Sequence, residues 1–151
     1  MNKQLSVTVA KACWSEYKKQ LRQIRTEVFI EEQHVSQEDE WDGKDTLEST
    51  SHFIARIDND ILVNVPIACA RLEENGKIGR MAVLKPYRDS GIGSAVLKYI
   101  LNYARKNEIS VFLYAQLQAR GFYQKHNFVS VGEVFDDAGI PHIKMLLDSR
   151  E

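Results

Sequence analysis

Cysteine and proline are scarce, with two of the first and three of the second in 151 residues. Cys13 and Cys69 lie far apart in apolar contexts, with no Cys-x-x-Cys pair and no Cys/His cluster at zinc spacing. A disulfide-stapled scaffold and a zinc finger are thereby excluded, and no metal site is expected. The two read as reduced core thiols of a cytoplasmic protein, a single bridge between them being the other arrangement. No apolar run approaches the roughly 20 residues that span a bilayer, so no membrane role is expected. The opening Met1–Val9 alternates like a strand and lacks a signal-peptide core. An excess of one charge is missing too: 20 Lys and Arg against 21 Asp and Glu leave a net charge of −1. That balance argues against a dedicated nucleic-acid binder. Lys98, Arg105, Lys106, Arg120 and Lys125 read as the wet sides of helices rather than a basic face. Repeats, low-complexity tracts and linkers are absent, and the length suits one domain over residues 1–151.

What is present is a readable order of elements. Leu5–Ala10 alternates as a strand. Trp14, Tyr17, Leu21, Ile24 and Val28 then recur every three or four residues, the apolar stripe of a helix. From Glu31 to Glu48 the pattern dissolves into eight acids with one lysine, Lys44. The stretch reads as a solvated loop or short irregular helix. Its second reading is an attractor for a cationic acceptor, with Trp41 pinning it over the core or walling a pocket. Strand signals follow at Ser51–Ile57, Ile61–Leu72 and Lys77–Val83, with turns at Asn59-Asp60 and Glu74-Asn75-Gly76. Pro66 marks an edge, bend or bulge in the second of them.

The second half changes style. A glycine-rich turn, Arg88 to Gly93, opens a helix through Lys106 whose apolar face is Ile92, Val96, Ile100 and Tyr103 or Ala104. Val111–Ala115 is a continuous apolar run, as expected of a central strand buried on both faces. A short helix at Leu117–His126 and strands at Val129–Phe135 and His142–Leu147 complete an α/β chain with a mixed sheet.

The turn is the most informative segment. A strand ends at Met81-Ala82-Val83, and the loop Arg88-Asp89-Ser90-Gly91-Ile92-Gly93-Ser94 feeds a helix. The first turn of a helix has unpaired N–H groups and a partial positive charge. Glycines at 91 and 93 let a phosphate come close, so the segment is a candidate diphosphate cradle. It is neither of two better-known phosphate motifs. The P-loop lysine is missing, and Val96 stands where the dinucleotide fingerprint needs Gly or Ala.

Arg88-x-x-Gly91-x-Gly93 after Met81-Ala82-Val83 resembles the acyl-CoA-binding segment of the GNAT superfamily of N-acetyltransferases. A second motif agrees. That superfamily often carries Asn-x-x-Ala-x-x-Leu-Tyr-x-x-x-Gly-Phe, and here the chain runs from Gln116 through Ala119, Phe122 and Tyr123 to Asn127-Phe128. Gln116 replaces the usual Asn and Asn127 the usual Gly. The second change is mild, because Asn tolerates the left-handed conformation at a helix end. The segments around Leu21–Gln33 and Gly139–Met145 are similar to the ElaA-like branch.

The resemblance implies a GNAT-like fold, a mixed sheet of about seven strands with helices on both faces. It implies acetyl-CoA as co-substrate, without a metal, and a primary amine of a small molecule or peptide as acceptor. A homodimer is an assembly it allows. Met81, Ala82, Val83, Arg88, Asp89, Ser90, Gly91, Ile92, Gly93, Ser94, Gln116 and Tyr123 are carried over as cofactor contacts, with Tyr123 as general acid. The strands Lys77–Val83 and Val111–Ala115 are then neighbours that splay apart. Many relatives bear an acid on the strand before the cradle, whereas Ile78-Gly79-Arg80-Met81 has none. Glu32, His52 and His142 are the candidate bases, Glu32 and His142 also as acceptor-site residues. The other reading of the same fold is a non-catalytic acyl-CoA-binding module.

Overall fold

The computed structural model describes residues 6–58 and 63–148. The Asn59-Asp60 turn and the strand start at Ile61 lie outside the described residues. Seven strands form one sheet in the order β1-β2-β3-β4-β5-β7-β6. β1 (Ser6–Ala12), β2 (Ser51–Asp58), β3 (Val65–Leu72) and β4 (Lys77–Val83) make the antiparallel meander. β5 (Phe112–Gln116) is parallel to β4, and β7 (Ile140–Leu147) lies between β5 and β6 (Phe128–Asp137).

Two helical layers follow from the periodicities. α3 (Ile92–Lys106) buries Ile92, Val96, Leu97, Ile100 and Ala104 against Phe53, Ala55 and Ile57 of β2. On the opposite face α1 (Trp14–Arg25) buries Leu21 and Ile24 against Ile54, Cys69 and Ala82. The strands closed on both faces are therefore β2 and β3. β5 is not one of them. Leu113 and Ala115 are buried, but Tyr114 is exposed and Phe112 half-buried, because α1 covers the meander and stops short of β5.

α1 ends in a wide turn. Thr26–Glu32 takes π spacing, with the Gln33 N–H bonded to the Val28 carbonyl, and buries both Val28 and Phe29. π turns are rare and gather at functional sites. This one carries Glu32 toward the start of α3.

Two irregularities shape the meander. Ala55 pairs with Ala68 and Arg56 with Pro66, so the chain bulges where proline offers no N–H. On β4, Gly79 pairs with Arg71 and Ala82 with Cys69, so Arg80 and Met81 together oppose one residue of β3. Arg80 sits at φ +49°, a conformation that costs a non-glycine residue about 1–2 kcal/mol.

The acidic stretch is a short helix and loop solvated only in part: Glu31, Glu32, Glu38, Asp39, Asp42 and Glu48 are exposed, whereas Glu40 and Asp45 turn inward. Glu40, the last residue of α2 (Gln37–Glu40), is 2% exposed and Asp45 beyond it 6%. Arg25 bonds Glu40 and Asp45 at 2.7 Å each. Arg71 bonds Asp42 at 2.8 Å and Asp45 at 3.1 Å. Arg25 and Arg71 are each 1% exposed, and ions at that depth persist only when paired. Trp41 stacks on Arg22 at 4.0 Å and bonds Gln37, so it pins the segment to α1. The thiol expectation also needs correction: both cysteines are free, Cys69 is buried, but Cys13 is exposed at the start of α1.

Candidate active site

β4 and β5 pair at Lys77–Phe112 and Ile78–Leu113, and pair no further. Beyond the β4 bulge a gap opens between them. Val83 opposes Ala68, and the Leu84 N–H donates to the Ile67 carbonyl. In an antiparallel ladder that pattern turns the N–H and carbonyl of Val83 away from β3 and into the gap. Arg88 Nε takes up the carbonyl at 2.8 Å. Met81 and Val83 pack toward α3, and Ala82 faces α1.

The glycine turn lies at the mouth of this gap. Asp89 sits at φ +62° and Gly91 at φ +85°, where Gly91 begins α3. A Cβ at Gly91 meets nothing within 4 Å, so the position opens to solvent. The ladder of α3 starts with the Ala95 N–H on the Gly91 carbonyl, so the earlier N–H groups of Ile92, Gly93 and Ser94 have no partner within the helix. Ile92 is buried and presents only its backbone. Gly93 has a packing reason: a Cβ there is 3.4 Å from the Phe122 ring, so glycine lets α4 (Arg120–Gln124) close on α3. The Ser90 hydroxyl donates to the Tyr87 carbonyl at 2.6 Å. The Ser94 hydroxyl lies 3.0 Å from His126 Nε2, so that histidine adjoins the loop. Nothing local in the sequence pairs residues so far apart.

Tyr123, on α4, points its hydroxyl at Met81 Sδ across 3.8 Å. Its ring packs edge-on against Phe122 and Phe128. Burial pushes the phenol up to about 12, so it keeps its proton at neutral pH. Asn127 takes φ +69°, the left-handed helix end for which Asn substitutes for Gly.

The candidate bases separate. Glu32 is held by Nη1 and Nη2 of Arg88, at 2.6 and 2.7 Å. That bond lowers its pKa, so it is a weak proton acceptor joined to the loop arginine. His52 lies away from the gap, its Nε2 3.0 Å from the Asp45 carbonyl and its ring on Trp14. His142 opposes Gln116 across β5 and β7. Its Nδ1 donates to the Ile140 carbonyl at 2.7 Å, which leaves Nε2 free to accept in the neutral ring. Gln116 is bridged to Gln33 at 2.8 Å, tying the end of β5 to the π turn. A cavity of about 390 Å³ lies between the π turn and the segment after β4, lined by Glu27, Val28, Glu31, Glu32, Leu84, Lys85 and Pro86.

A strand pair that parts after two rungs, the glycine turn that follows β4, and a half-buried Tyr123 beside Met81 make up the candidate site. The family model described as an acetyltransferase (GNAT) domain matches residues 9–149. The chain belongs to the GNAT acetyltransferase family. It is an acyltransferase, similar to the ElaA protein of Escherichia coli at 29% identity over 133 residues. The uncharacterized N-acetyltransferase YjcF of Bacillus subtilis is 38% identical over 130 residues, covering 83% of this chain and 88% of that protein. Among solved structures, an acyl-CoA N-acyltransferase from Pseudomonas aeruginosa superposes with a TM-score of 0.76 at 30% identity, over 96% of this chain and all 100% of that one. Escherichia coli ElaA gives 0.79 at 24% identity over 96% and 100%. Arabidopsis thaliana Naa50, solved with the bisubstrate analogue CoA-Ac-MVNAL, gives 0.67 at 21% over 93% and 97%.

Proposed function

We propose that this GNAT protein transfers the acetyl group of acetyl-CoA to a primary amine of a small molecule or peptide by direct attack. The observation that carries the reading is the gap itself. Beyond Ile78, β4 has no partner in β5, Val83 turns its N–H to that side, and the Tyr123 hydroxyl lies 3.8 Å from Met81 Sδ. The analogue bound by Naa50, which joins coenzyme A, acetyl and a peptide, supports the same donor.

The residues fit that donor. The free N–H groups at the start of α3 and the open Gly91 suit a diphosphate, with Arg88, Asp89, Ser90, Gly93 and Ser94 shaping the loop. A thioester supplies an activated acetyl group when bound. The Val83 N–H stabilises negative charge that grows on the thioester oxygen. The Tyr123 hydroxyl, protonated at neutral pH, donates to the departing sulfur. Free His142 Nε2 accepts the proton of the amine, and Glu32 with Glu27 and Glu31 lines the acceptor side. Gln116 holds β5 and the π turn together between the two sides.

The test is free-thiol release from acetyl-CoA with a panel of polyamines, aminoglycosides and lysine peptides. Amine-dependent, saturable release with one class is expected. Binding of acetyl-CoA with no stimulated release by any amine contradicts the reading.

A further inference from the structure

We infer that Arg80 is a positioning residue for the donor thioester: bonded to the acidic segment, it holds the β4 bulge that turns the Val83 N–H into the gap. This rests on the acetyl-CoA reading above. Three observations converge on it. The bulge residue is an arginine at φ +49°, with no glycine at the position to take that conformation freely. Its guanidinium is tied on the α2 side: Nη2 donates to the carbonyls of Asp39 at 3.1 Å and Glu40 at 3.0 Å and to Asp42 Oδ2 at 3.2 Å, and Nε lies 3.1 Å from Glu40 Oε2. Those carboxylates are themselves fixed, Glu40 by Arg25 and Asp42 by Arg71.

The bulge sets which amide faces the gap. Counted from the Arg71–Gly79 pair, an unbulged strand brings Ala82 opposite Ala68, whereas here Val83 stands there. A slip of one residue reverses every N–H and side chain beyond it. Ala82 then leaves its buried place beside Ile54 and Cys69, and the Val83 N–H turns back toward β3. The segment Asp39–Asp42 therefore acts on the reaction without touching substrate, through Arg80.

Paired substitutions test this. Arg80→Gly and Arg80→Ala both delete the ion pairs, but only glycine adopts a positive φ without help. Calorimetric titration with acetyl-CoA and with free coenzyme A is compared with the Val83 amide resonance of the ligand-free protein. We expect Arg80→Ala to displace that resonance and to weaken acetyl-CoA about tenfold, with coenzyme A changed less than about threefold. Arg80→Gly keeps the resonance and stays within about threefold of wild type for both. A merely structural arginine gives equal losses of melting temperature and identical binding in the two variants, and that result overturns the inference. Should Arg80→Ala fail to fold, Asp42→Ala removes one acceptor of the same guanidinium and must shift the resonance the same way; an unmoved resonance there also overturns it. If wild-type protein binds neither ligand, the acetyl-CoA reading falls, and the resonance still decides the role of Arg80.

Discussion

Among the described residues the Tyr123 hydroxyl is directed at a thioether sulfur 3.8 Å away, which is a weak acceptor. Its proton is therefore held mainly by burial, which is the cause of the rise to about 12. Removing the hydroxyl leaves the ring packing against Phe122 and Phe128 in place. Tyr123→Phe is expected to lower kcat about 10²-fold, within the range of general acid catalysis, while the dissociation constant of coenzyme A is unchanged. Steady-state thiol release and calorimetry check the two halves, and an unaltered kcat where chemistry limits the rate removes Tyr123 from the mechanism. Single residues differ in how far sequence reveals them. Asn127 was legible, since one left-handed position has few tenants, and it sits at φ +69°. Arg88 was legible as a loop residue but not as the partner of Glu32, because that pair joins elements 56 positions apart.

Periodicity fixed the helices and strands because each has a face against the sheet. It was silent on three features of the elements. The π turn after Arg25 keeps Val28 on the expected stripe, so the apolar spacing does not show it. The β4 bulge places an arginine in a conformation whose usual marker is glycine. The apolar run of β5 suggested burial on both faces, yet one face is Phe112, Tyr114 and Gln116, with Lys77 over the Tyr114 ring at 4.5 Å and Tyr114 against Phe135 at 5.1 Å. Aromatics and lysine stems cover one another there in place of a helix.

Across the whole molecule, the largest departure from the sequence reading is the ion network joining α1, the acidic segment, β3 and β4. Charged residues are usually solvated, so their burial was not legible without the fold. The network makes stability depend on acid. Burial acts to raise the pKa of Asp42, but bonds from Arg71 and the Lys44 N–H and the charges of Arg71 and Arg80 hold it well below the usual carboxylate range. Asp45 is lowered likewise: burial opposes the change, and Arg25 and Arg71 outweigh it. Burial is also the leading cause that lowers His52. All three groups bind fewer protons folded than unfolded as pH falls past their ordinary values, so their stabilisation is complete above about pH 6.5 and is lost below it. Thermal unfolding is expected to hold steady from pH 8 to 7. It then falls first below about pH 6.5 through His52 and more steeply below about pH 4 through the aspartates. A melting temperature unchanged down to pH 3 contradicts the linkage.

The fold, the family and the chemistry meet at one place, the open backbone where β4 gives way to α3. Gly91→Asp and Gly91→Asn are matched in size, and both residues accept the left-handed conformation found there at φ +85°. They differ in one negative charge facing the start of the helix. Calorimetric titration of the two variants with coenzyme A is expected to show affinity at least about tenfold weaker for Gly91→Asp than for Gly91→Asn, since a fixed carboxylate repels a diphosphate at that range. Equal affinities, both like wild type, put the nucleotide elsewhere and end the reading of this turn as its cradle.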